Sequence, residues 1–74
     1  MKKQFGQWVR EERTKHGYTQ LGFARKLGID HHTLSNIELL HRGPTLFVAE
    51  CICVGLGSKL WLVLKDLEDG NKTD

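Results

Sequence analysis

Thr19-Gln20-Leu21-Gly22-Phe23-Ala24-Arg25-Lys26-Leu27-Gly28-Ile29-Asp30-His31-His32-Thr33-Leu34-Ser35-Asn36-Ile37-Glu38 reads as two short helices on either side of a glycine turn. Thr19 and Asp30 are placed to cap them, since a short oxygen-bearing side chain can take up the free amides of a first turn. Phe23, Ala24 and Leu27 form the inner face of the first, over 20–27, and Leu34 and Ile37 that of the second, over 31–39. Two helices that cross steeply with touching backbones need a very small side chain at the contact, and Ala24 is one. The turn needs a residue at ease with positive φ, and Gly28 is one. Ile29 dips into the core between them. Gly22, inside the first helix, costs about 1 kcal/mol against alanine, so a close neighbour is expected there. Only polar side chains are left outward at the start of the second helix: His31, His32, Ser35 and Asn36.

The flanks continue the helical pattern. Over 4–16, Phe5, Val9 and Arg13 recur every fourth residue with Trp8 beside them, and Gly17 supplies the stop. After Gly43-Pro44, Thr45 can cap a fourth helix whose inner stripe is Val48, Ala49, Ile52, Cys53 and Leu56. Gly57 ends it, and Ser58 can cap a fifth. The segment 59–67 fits two patterns. Leu60, Val63, Leu64 and Leu67 make a helical stripe, while Leu60, Leu62 and Leu64 alternate with Trp61, Val63 and Lys65 as a strand does. Length and the run to Leu67 favour the helix, with a strand as the alternative. Residues 68–74 are polar and read as a frayed tail. The expectation is a single all-α domain over 1–74, built of five helices.

Seventy-four residues hold one small core, and 39% hydrophobic with 27% charged residues describe an ordinary globular chain. The longest apolar run, 60–64, is far too short to cross a bilayer. Met1-Lys2-Lys3 leads into Gln4 and Gly6 and not into an apolar segment. No membrane partner and a cytoplasmic location are therefore expected. Cys51 and Cys53, two apart in a helical pattern, point to nearly opposite sides and read as free thiols. His31 and His32 are adjacent, and neither they nor His16 and His41 find a Cys or His at chelating spacing, so no metal is expected. With no glycine-rich phosphate loop, clustered carboxylates or nucleophile–base pair, neither an enzyme nor a cofactor is expected. Charge is uneven. Residues 1–42 carry eight Lys or Arg against four Asp or Glu, and all four histidines; residues 43–74 carry three against five. The basic half contains the crossing helices, which suits a polyanion.

That pair has the layout of a helix-turn-helix reader of double-stranded DNA. The chain resembles the lambda-repressor-like, Cro/CI-type (xenobiotic-response-element) family of bacterial and phage regulators. The matching pieces are Arg13…Gly17-Tyr18-Thr19-Gln20, Phe23-Ala24…Leu27-Gly28-Ile29, Leu34-Ser35-Asn36-Ile37-Glu38 and Pro44…Ile52-Cys53…Leu56-Gly57, within about 4–64. The resemblance implies a five-helix domain that binds operator DNA, usually as a symmetric dimer. It pairs Arg13 with Glu38, and the residues agree, because Arg13 continues the Phe5–Val9 stripe inward and needs an anion. It makes His31, His32 and Asn36 base contacts, with Ser35 on the same exposed face. Histidine can donate to guanine or lie against a thymine methyl, and asparagine can bridge adenine. Gln20 resembles a phosphate grip at a helix start, and Thr33, His41, Arg42 and the Lys2-Lys3 arm are candidate backbone contacts. Asp30 serves as a cap. One departure stands out: the family has glycine two residues after the glutamate, whereas this chain has Leu39-Leu40. The helix then runs on, or the two leucines support an unusual loop or a partner contact.

Five consecutive apolar residues, 60–64, exceed what one buried face absorbs. A two-fold interface over 59–67, with Leu60, Trp61, Leu62 and Leu64 as its contacts, is the simplest home for the surplus. The function expected is a dimeric repressor on a palindromic operator, with 31–39 in the major groove. The alternative is an antitoxin-type protein that neutralises a protein partner while regulating its own operon.

Overall fold

The second to fourth helices start where a side chain takes up a first-turn amide, and the first four helices end in one recurring closure. In the computed structural model, which describes residues 3–69, the elements are α1 (Phe5–Lys15), α2 (Gln20–Leu27), α3 (His31–Glu38), α4 (Leu46–Gly55) and α5 (Leu60–Glu68). No strand occurs among the described residues. Thr19, Asp30 and Thr45 accept from the amides of Gly22, His32 and Val48 at 3.0, 3.1 and 3.2 Å. These are the expected caps. Ser58 is not one: α5 starts after Lys59 without a side-chain cap. Its amide instead donates to the Cys53 carbonyl at 2.8 Å, which makes Ser58 part of the end of α4.

That closure is a Schellman motif, in which a left-handed residue turns two amides back onto the last carbonyls. Gly17, Gly28 and Gly57 provide the left-handed residue at φ +80°, +73° and +74°. At the end of α3 the position falls on Leu40, at φ +64°. The Leu40 and His41 amides still close onto Ile37 and Asn36, at 3.1 and 2.9 Å. α3 thus does not run on. It stops where glycine would stop it, with a leucine in the strained place.

Two sets of buried side chains make the core. Val9, Phe23, Ala24, Leu34, Ile37, Ile52 and Leu56 hold α1 to α4 together, and Ala49, Cys53, Leu60, Val63 and Leu67 seat α5 on α4. Phe5 and Trp8, stacked 5.7 Å apart, pack against both. Ala24 is buried at the α2–α3 crossing. Around Gly22 the only near neighbour of an added methyl is the Thr19 hydroxyl, so its small size serves the cap. Burial, with the Glu50 charge adding to it, pushes the Cys53 thiol from 9.0 to about 11, which marks it as an inert core thiol.

Residues 60–67 of the segment 59–67 are helical, so the strand alternative is not adopted. Its phase differs from the expected stripe: Leu60, Val63 and Leu67 are buried, whereas Leu64 is exposed. Leu60, expected at an intermolecular interface, is only 9% exposed and belongs to the core of the single chain. Of the tail, Glu68 is helical and Asp69 caps α5; 70–74 lie outside the described residues, as does Lys2 of the basic arm. Lys3 pairs with Glu11 on α1.

Candidate nucleic-acid interface

Ala24 and the left-handed Gly28 let α2 and α3 lie close, and Asp30 then starts α3 with its first turn facing out. His32 and Thr33 are exposed, and His31, Ser35 and Asn36 are half-buried. A cleft between α3 and the following loop brings His32, Thr33 and Asn36 together with Arg42 and Thr45. Ser35 lies on the other flank of α3, in a groove shared with Arg10, Gln20 and Leu39. Three of the four expected base-reading residues are thus divided between two flanks, and the fourth, His31, meets Gln20. His41 is exposed, and its amide closes α3.

Behind this surface runs one chain of hydrogen bonds. Arg13 donates from Nε to Glu38 Oε2 at 2.8 Å and from Nη2 to Oε1 at 3.0 Å, and from Nη1 to the Tyr18 carbonyl at 2.8 Å. The two side chains are only 12% and 3% exposed, so this fork is an internal clamp between α1 and α3. Gln20 Nε2 donates to Glu38 Oε1 at 3.2 Å, and Gln20 Oε1 lies 2.8 Å from His31 Nε2. Gln20, expected as a phosphate grip, therefore has both ends of its amide engaged within the protein. His31 and His32 rings sit 5.9 Å apart.

Sequence reasoning missed four residues of these surfaces. Arg10 and Leu39 edge the Ser35 flank. Their signal was positional: Arg10 precedes Arg13 by one turn, and Leu39 follows Ser35 by one turn. A second, apolar groove lies between α4 and α5, lined by Leu46, Val54, Trp61 and Leu64 above Leu60. Leu46 is 76% exposed and Trp61 62%. Leu46 and Val54 were legible as the outer stripe of α4, with Glu50 between them at helical spacing. Leu62 is exposed but does not line the groove.

Among the described residues no three His, Cys, Asp or Glu side chains group to hold a metal ion. No single described helix is long and apolar enough to cross a membrane. A family model described as helix-turn-helix matches residues 9–60, from the middle of α1 to the start of α5. No curated protein matches the chain.

Proposed function

The chain belongs to the Cro/CI-type helix-turn-helix family and is a DNA-binding transcription regulator; on that premise we propose a dimeric repressor acting in the cytoplasm on a palindromic operator. In this reading α3 enters the major groove. His31, His32, Ser35 and Asn36 meet base edges, and Thr33, His41, Arg42 and the second Nε2–H of Gln20, the one not given to Glu38, hold the phosphates on either side. The observation that carries it is the polar, solvent-facing first turn of α3, held in place by the buried Arg13–Glu38 clamp. A reader needs its side chains fixed before contact, and a clamp between α1 and α3 supplies that rigidity.

The two-fold contact is assigned to the α4–α5 groove, through Leu46, Val54, Trp61 and Leu64. A contiguous apolar groove on a small domain is typical of an interaction site. Two copies joined there would carry two recognition helices, as an operator with half-sites one turn apart, about 34 Å, requires. A domain that covers an operator in this way represses by occupancy. The same groove also favours a second reading, an antitoxin-type protein with a partner polypeptide in it; Phe47, exposed near Leu46 on α4, widens the apolar surface for such a partner.

Selection of binding sites from a random DNA pool, with sedimentation of the free and bound protein, tests this. The expected result is an inverted repeat bound by two copies. A single unrepeated site bound by one copy overturns the dimer, and a tightly held second polypeptide moves the assignment to the second reading. No enrichment of any sequence overturns sequence-specific binding altogether.

A further inference from the structure

Glu38 lies in the fork of the Arg13 guanidinium, and as a carboxylate it only accepts hydrogen bonds. The Gln20 amide reaches Glu38 Oε1 at 3.2 Å, and only its NH2 end can make that contact. Turning the amide over would set two acceptors against each other. The orientation of Gln20 is therefore fixed by chemistry, with its oxygen toward His31. That oxygen, 2.8 Å from His31 Nε2, accepts and cannot donate, so Nε2 must carry the proton. A neutral imidazole has one N–H, which leaves a lone pair on Nδ1. Nδ1 makes no hydrogen bond with the described residues. No buried side-chain nitrogen or oxygen among the described residues lacks a partner, so Nδ1 is open to solvent.

We propose that Arg13, Glu38 and Gln20 hold His31 as its Nε2–H tautomer, so that neutral His31 presents an acceptor and selects a base with a major-groove amino group, adenine or cytosine. The base assignment rests on the proposed placement of α3 in the major groove; the tautomer does not. Adenine N6 and cytosine N4 donate in that groove, whereas guanine N7 and O6 and thymine O4 accept. A lone pair on Nδ1 complements the first two and opposes the others. This reverses the polarity that histidine alone suggests, since a free ring can as well donate to guanine. Gln20 is a positioning residue in this scheme. It touches the reading side chain and not the base.

The tautomer is read first, by nitrogen NMR of the free protein labelled at histidine, at pH 8. His31 is expected to show a protonated Nε2 and an unprotonated Nδ1, and Gln20→Ala to give a mixture of the two tautomers. A protonated Nδ1 in the wild type, or a Gln20→Ala spectrum unchanged from it, overturns the proposal. The base is read next, at the operator position whose preference disappears in His31→Ala. Removing the amino group there, with purine for adenine or 2-pyrimidinone for cytosine, is expected to weaken wild-type binding roughly tenfold or more. The same change is expected to leave His31→Ala unaffected. Loss of binding on 7-deaza substitution of a purine at that position, with no loss on removing the amino group, overturns the acceptor role. A chain that selects no DNA fails the functional reading and the base assignment together, while the spectrum still decides the tautomer.

Discussion

Leu40 does with a side chain what Gly17, Gly28 and Gly57 do without one. A left-handed residue other than glycine costs about 1–2 kcal/mol, and half of the Leu40 side chain is in water. Leu40→Gly is therefore expected to raise stability by about 1 kcal/mol, seen as a higher urea midpoint at unchanged slope. A fall instead shows that the contact of Leu40 with α1 outweighs the strain. Arg13 and Glu38 call for the opposite expectation. Removing either leaves a buried charge alone, at about 3–5 kcal/mol, which rivals the whole stability of a domain this size. A Glu38→Gln, Arg13→Met double-mutant cycle is expected to show a coupling of over 1 kcal/mol; additive losses would refute the clamp. This pair was legible in the sequence, because Arg13 falls on the apolar stripe of α1. The links from Gln20 to Glu38 and His31 were not. A glutamine at a helix start turns inward or outward with the same neighbours in sequence, and only the distance to Glu38 decides.

The packing of α1 on α3 turns on Gly6, buried where α1 meets the end of α3. A methyl there would collide with the Ile37 carbonyl oxygen and come within 2.8 Å of Leu40 Cδ2. Backbone cannot give way as a side-chain tip can. Gly6→Ala is expected to lower stability by about 1–3 kcal/mol or more, although alanine is the better helix former. Chemical denaturation with circular dichroism checks this; a stabilised variant would mean the two helices can part freely. Nothing in the sequence marked Gly6, since a glycine in a helix signals only a propensity cost until its neighbour is known. The caps at Thr19, Asp30 and Thr45 and the stops at Gly17, Gly28 and Gly57 were legible, because their requirement is local. The phase of α5 was not. Five apolar residues in a row fit several faces, and contact with α4 around Ala49 and Cys53 decides which are buried.

At the scale of the whole molecule, two exposed faces stand out among the described residues, one polar on α3 and one apolar between α4 and α5. If the apolar face joins two copies, Trp61→Ala is expected to weaken that contact by about 2 kcal/mol, roughly thirtyfold. Sedimentation is then expected to shift toward monomer, with lost affinity for a full operator and unchanged affinity for a half-site. Equal losses on both sites would assign Trp61 to the fold of the monomer. The basic bias of residues 1–42 was legible as a polyanion signal and agrees with the position of α3. Which leucines join the apolar face was not legible, because that followed from the phase of α5. The clamp behind α3 has a further consequence, for heredity. If α3 reads bases as proposed, residues 32 and 36 can drift singly, each altering the preferred site by small steps. Residue 31 cannot, for any replacement inherits a partner at 20 shaped for a ring nitrogen, and that partner is itself tied to the buried clamp. Descendants of this chain that acquire a new letter at 31 should carry a matching change at 20, so the two codons form one unit of selection.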